Sequence, residues 1–223
     1  MTTKKFADTN MMKLNYEKTQ LMLFNPCSSL DFQPDISIED HHLTVVEEKQ
    51  ILGLIIRSDL KWNSNTRKMV SRAYKKLWII RRLKNLGAEN TDLVDIFSKQ
   101  VRSVLEFGAP VWQSGITDRE KQDIERVQKT FCKIILKDQY QSYHLALKKL
   151  ELDRLDVRRK KLCLNFALKA ESNEKFKHWF KPAVKTSCTR LKLPKYVDVA
   201  FNHARMETSP LSYLTKLLNN HYK

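Results

Sequence analysis

The sequence predicts an α+β fold, mostly α: a small antiparallel sheet, then a three-helix bundle, a further helical region and a basic tail. Three observations predict it. Short β-like runs crowd the stretch 19–57, the apolar period changes from two to nearly four at Asn65, and turn-forming stretches fall between the periodic segments.

The β-like runs are "TQLMLF", "ISIED" with "HHLTVV", and "QILGLIIR", separated by "NPCSSLDFQPD" and "EDHH". Neighbours in a strand point to opposite faces, so the adjacent His41 and His42 cannot together chelate an ion and read as turn residues. Beyond Asn65, Met69, Val70, Ala73, Leu77 and Ile80 recur at helical spacing. So do Leu93, Ile96, Phe97, Val101, Val104 and Leu105, and then Ile124, Val127, Phe131, Ile134 and Ile135. "NLGAEN" and "FGAPVWQSGIT" break these three helices apart, and "TDRE" offers a capping box between Thr117 and Glu120. One apolar stripe per helix predicts a bundle.

The leucines of "HLALKKLELDRLDVRRKKLCLNFALKAE" predict a further helix, split near Leu152 to Arg154. The lysine-rich, acid-free "KPAVKTSCTRLKLPKY" reads as an extended or disordered basic linker before a short terminal helix in "SPLSYLTKLLNN". The implied divisions are 1–62, 63–137, 138–171 and 172–223.

With 42% hydrophobic residues in 223, the chain can bury a core and is not disordered. Forty-one Lys and Arg against 25 Asp and Glu leave a net charge of +16, which favours a polyanionic partner. Nucleic acid leads, ahead of a solvated basic surface without a specific partner and of an anionic membrane surface. The longest apolar runs, "LMLF" and "ILGLII", are far short of the ~20 residues of a membrane span. No apolar segment follows the first lysines, so the expected compartment is cytoplasmic or nuclear, not secreted. Cys27, Cys132, Cys163 and Cys188 stand far apart without a C-x-x-C pair, so neither disulfides nor a zinc site is expected.

The charge is concentrated. From Leu60 to Ala88 there are nine basic residues and no acidic one. At 100° per residue, Lys68, Arg72, Lys75, Lys76 and Arg82 share one helix face opposite the apolar stripe, as tracking a phosphate backbone requires. Trp78 flanks that face, placed either to stack on a base or ribose or to fill the core or line a groove.

In this order, "MKLNYEKTQLMLFN", "ILGLIIRSDLKWNSNT", "AYKKLWIIRRLKNLG", "QVRSVLEFGAPVWQSG" and "DIERVQKTFCKIIL" resemble the C-terminal part of the reverse transcriptase of a jockey-like non-LTR retrotransposon. The likeness is clearest over residues 6–136 and rests on shared order and spacing. It implies a late palm and primer-grip-like hairpin in 1–62, a thumb in 63–137 and a post-thumb region in 138–171. Lys18 of "LNYEKT" would sit near the incoming nucleotide's phosphates; the plainer alternative is a residue that caps the turn into the next strand. Leu52, Gly53 and Leu54 of "ILGLII" would approach the primer backbone, the plainer alternative being a core strand. The three helices would clamp a template and primer duplex.

The family's polymerisation uses two divalent ions held by carboxylates. Its first metal-binding aspartate and its aromatic-Ala-Asp-Asp turn are expected before residue 1, as is its endonuclease. "FADT" is not that turn: Asp8 lies only six residues before Leu14, where the family places a whole helix, so the stretch reads as a helix end with Phe6 and Ala7 packed and Asp8 exposed. No Cys/His knuckle follows at the C-terminal end.

The expectation is therefore a truncated reverse transcriptase fragment that binds nucleic acid through a basic thumb helix and does not polymerise by itself. It needs no cofactor, magnesium being implied only for a full-length enzyme, and it takes no small-molecule substrate. Its other partner would be the upstream palm and fingers, whose absence would leave strand edges exposed. The alternatives are a stand-alone helical nucleic-acid-binding or adaptor protein reusing the thumb fold, and a relic without function.

Overall fold

The computed structural model describes residues 3–13, 15–24, 35–38, 40–183, 194–197 and 208–222. Cys27 and Cys188 lie outside these residues. The chain divides into two compact units, Met1–Lys61 and Trp62–Lys223.

The first unit opens on helix α1 (Thr3–Thr9), which is closed by the Thr9 hydroxyl and the Asn10 amide donating back to the Lys5 and Phe6 carbonyls. Ala7 is buried and Asp8 exposed, but Phe6 also faces solvent; a seven-residue helix has too few turns to bury both. A 3-10 turn at Tyr16–Lys18 leads into β1 (Gln20–Leu21). Then come β2 (Ser37–Ile38), β3 (His41–His42), β4 (Thr44–Val45), β5 (Glu48–Ile51) and β6 (Leu54–Arg57).

Among the described residues the strands pair as three two-stranded ladders instead of one sheet. β1 runs parallel to β4, while β2 with β3 and β5 with β6 are antiparallel. The runs are too short and too exposed for one face to be buried continuously: every β5 residue is exposed. His41 and His42 are strand residues, not turn residues, in register with Ile38 and Ser37. Tyr16 stacks on His41 at 4.5 Å between centroids, which fastens the 3-10 turn beside β3.

The second unit is helical. Helix α2 (Asn63–Asn85) is followed by α3 (Asn90–Ile96), which runs through a π turn at Phe97–Arg102 into α4 (Ser103–Glu106). A short α5 (Ala109–Trp112), a long α6 (Asp118–Leu136) and α7 (Tyr143–Lys149) precede α8 (Leu155–Ser172) and α9 (Pro210–His221). Ala73, Leu77 and Ile80 of α2 meet Phe97, Val101 and Leu105, and Ile124, Val127 and Phe131 of α6, all buried. Val70 is only half-buried, at the edge of the stripe. Phe97 and Phe131 stack at 4.0 Å in the middle of this core.

The ends of these helices follow local chemistry. α2 stops at Gly87, whose φ of 91° allows the left-handed turn in which the Ala88 N–H reaches back to the Leu83 carbonyl. Thr117 and Glu120 form the expected capping box. The break between α7 and α8 falls at Leu150 to Arg154, with Glu151 in the left-handed region at φ 52°.

A second core layer joins α5, α8 and α9: Trp112, Leu155, Cys163 and Ala167 are fully buried, with Leu214 and Leu218 close to it. Arg158 of α8 donates to Glu106 of α4 at 2.7 and 3.3 Å, tying this layer to the first. Part of the expected linker is ordered by pairing. Pro182 and Tyr196 bridge, and Ala183 and Val197 donate to the Lys195 and Lys181 carbonyls. Asn219 of α9 exchanges two hydrogen bonds with the Tyr196 backbone, so this segment and α9 hold each other in place. The remainder of that linker, 184–193, lies outside the described residues.

Candidate nucleic-acid interface

The candidate surface is the outer side of α2. Burial of Met69, Ala73, Leu77 and Ile80 fixes the rotation of this helix, so the opposite arc must face water. Arg72, Lys75 and Arg82 are exposed there as the wheel places them. Arg67 and Arg81 extend the arc along a second edge and were not among the residues chosen from the sequence. The same wheel carries them: Arg67, Tyr74 and Arg81 recur every seven residues, two turns apart.

Among the described residues, Arg67, Arg72, Lys75 and Arg81 have no acidic or hydrogen-bonding partner. Their charge is therefore not cancelled among the described residues. The other two sequence-chosen cations differ. Lys76 is half-buried and donates to Gln100 at 3.2 Å, and Lys68 is half-buried and already engaged. Both stand at the flank of the arc, where α2 meets its neighbours.

Trp78 lies on the surface, 57% exposed, so the core-filling alternative does not hold. The Arg82 guanidinium sits 5.0 Å from its ring centroid. That contact keeps the indole beside the cations, with Tyr74 exposed one turn earlier. Flat rings interleaved with cations offer stacking and charge neutralisation on one face.

The first unit holds the remaining sequence-chosen residues. Lys18 closes the 3-10 turn with its backbone, its N–H donating to the Asn15 side chain at 3.0 Å, while its side chain is exposed. Leu52 and Gly53 form the two-residue tip of the β5–β6 hairpin, with φ of 48° and 90°. The core-strand alternative for this segment fails: Leu52 is 92% exposed and Leu54 half-buried. A Cβ-bearing residue in the left-handed region is strained by about 1 kcal/mol, and this one gains no burial in return. Lys49 of β5 donates to Gln20 of β1 at 2.5 Å, which places the hairpin beside the strand that follows Lys18.

Asp8 is exposed on α1, and among the described residues no three His, Cys, Asp or Glu side chains gather as metal ligands would. No described helix is long and apolar enough to cross a membrane.

Comparison with protein-family models, with curated proteins and with solved structures finds no match for the chain.

Proposed function

We propose that this chain binds nucleic acid through the outer face of α2, as the late palm and thumb portion of a non-LTR retrotransposon reverse transcriptase would. The observation that carries the proposal is the group of exposed cations Arg67, Arg72, Lys75 and Arg81, uncompensated among the described residues and ranged beside Trp78. Such a face neutralises phosphates and releases their counterions, so its affinity falls steeply with salt. The exposed, strained tip at Leu52 supports a second contact, to the primer-like end of a strand. We assign no polymerisation to these residues by themselves; the purified chain with magnesium, dNTPs and a primed template should give no extension.

The test is a titration of labelled duplex against salt, for the wild type and for the triple reversal Arg72→Glu, Lys75→Glu, Arg82→Glu. The expected result is a steep log–log slope that the reversal lowers by about 3, one for each lost phosphate contact. An unchanged slope would remove α2 from the interface.

A second reading, an adaptor that docks another protein, draws on Ile79 of α2 and Leu86 just past its end, both exposed. Under that reading, binding to a partner would survive high salt and nucleic acid would not compete.

A further inference from the structure

A second basic surface lies on α6, independent of α2. The acids of α6 are occupied: Asp118 pairs with Lys121, Glu120 caps the helix, Asp123 pairs with Arg126, and Glu125 turns inward. From Arg126 to Leu136 the helix has three cations and no acid, and Lys137 follows at its C-cap. The macrodipole accounts for Lys133 and Lys137 near the C-terminus, but it fades beyond the last turn and does not account for Arg126 and Lys129.

Arg126, Lys129 and Lys133 line one wall of an open groove of about 460 Å³. The opposite wall is Tyr143 of α7 and Arg154 at the start of α8. Four cations, Arg126, Lys129, Lys133 and Arg154, line the groove with one carboxylate, Glu125; Arg126 is paired with Asp123 and Arg154 with Asp156, which leaves Lys129 and Lys133 without an acidic partner among the described residues. That carboxylate accepts from the Tyr143 hydroxyl and from the Leu155 N–H, so it serves the groove's floor and not a ligand. Gln128 braces the same floor, donating to Tyr143 and to the Asp153 carbonyl at 3.0 Å each. Lys129 has no partner among the described residues, and Lys133 stands 5.6 Å from the Tyr140 ring centroid.

We propose that this groove is a second nucleic-acid site, and that it takes a single strand. Lys129 and Lys133, free of acidic partners among the described residues, stand about 6 Å apart in rise along α6, so a strand lying in the groove can bring a phosphate to each. With a volume of about 460 Å³ the groove is the size of a small-ligand site, which a nucleotide of a single strand can enter and a duplex cannot, whereas the outer face of α2 is an open helix surface that a duplex can lie against. α2 and α6 pack by their buried stripes, so their outer faces point away from each other. One molecule can then hold a duplex on α2 and a strand on α6 at the same time.

The experiment measures a fluorescein-labelled 12-nucleotide single strand and a labelled duplex on the full chain. Lys129→Glu with Lys133→Glu should weaken the strand roughly tenfold and leave the duplex within twofold; Arg72→Glu with Lys75→Glu should do the reverse. Lys129→Gln with Lys133→Gln, which removes charge without reversing it, should give a smaller loss in the same direction. Saturating unlabelled duplex should not displace the strand. A strand loss below threefold in the Glu pair, with the helical circular dichroism unchanged, overturns the proposal. So does one-for-one competition between strand and duplex. Failure of the duplex to respond to the α2 pair would instead count against the proposed function and leave the groove standing.

Discussion

Arg158 holds Glu106 across 52 positions of sequence, with two guanidinium nitrogens on two carboxylate oxygens and the Glu106 side chain only 12% exposed. The pair joins the helix after the π turn to α8, and so joins the two core layers of the second unit. Removing one partner strands the other with little water around it. Glu106→Gln should lower unfolding stability by about 1–3 kcal/mol, and Arg158→Gln by a similar amount. The double variant, measured by urea denaturation, should lose less than the sum of the two; strict additivity would mean that the pair does not interact.

Gly115 faces the Trp62 indole so closely that a Cβ would lie 2.7 Å from two ring atoms. The indole is rigid, so Gly115→Ala must push it off its seat at the start of α2. The expected cost is about 1–3 kcal/mol, read as a lower urea midpoint with an unchanged slope. An unaffected midpoint would show that Trp62 moves freely.

The tip at Leu52 predicts a trade between stability and binding. Asn tolerates the left-handed conformation better than Leu and carries no exposed apolar chain. Leu52→Asn should therefore leave stability unchanged or raise it by up to about 1 kcal/mol, while weakening binding to a recessed primer end. A stabilised variant with undiminished binding would assign the strain to chance.

Glu171 sets an acid limit. Burial would raise its pKa, but hydrogen bonds from Lys195, Tyr196 and Tyr222 outweigh burial and hold it below its ordinary value of 4.5. A carboxylate that is more acidic folded than unfolded stabilises the fold fully above pH 4.5, and that contribution fades as pH falls through the folded value. Asp59 behaves likewise: burial opposes ionisation, yet Arg57 and the Lys61 N–H bring it down to about 2. Stability should therefore decline progressively below pH 4.5, and Glu171→Gln should flatten part of that decline in melts run from pH 6 to pH 2.

The buried thiols give a direct readout of folding. Burial pushes Cys132 up to about 12 and Cys163 up to about 11, so neither is a thiolate near neutrality. Both should resist a thiol reagent at pH 7 in the native chain and react once denaturant is added. Rapid native labelling of either would show that the core around Phe131 or Trp112 opens.

Periodicity in the sequence determined the helices of the second unit, the placing of α2's cations opposite its apolar stripe, and the capping box at Thr117, because each depends on residues within a few positions of one another. The same local signals were weak in the first unit, where two-residue strands leave no period to detect and the expected sheet became three ladders. Arg67 and Arg81 were legible on the same wheel; the exposure of Trp78 was not, since which way a tryptophan beside a stripe turns is set by its neighbours in the fold. Only tertiary structure could decide what depends on distant partners: that Glu106 meets Arg158, that Lys76 is taken up by Gln100, and that Arg154 comes to face Lys129 and Lys133 across a groove. Local sequence sets which face of a helix seeks water, but the free energy of a charge depends on what the folded chain brings beside it.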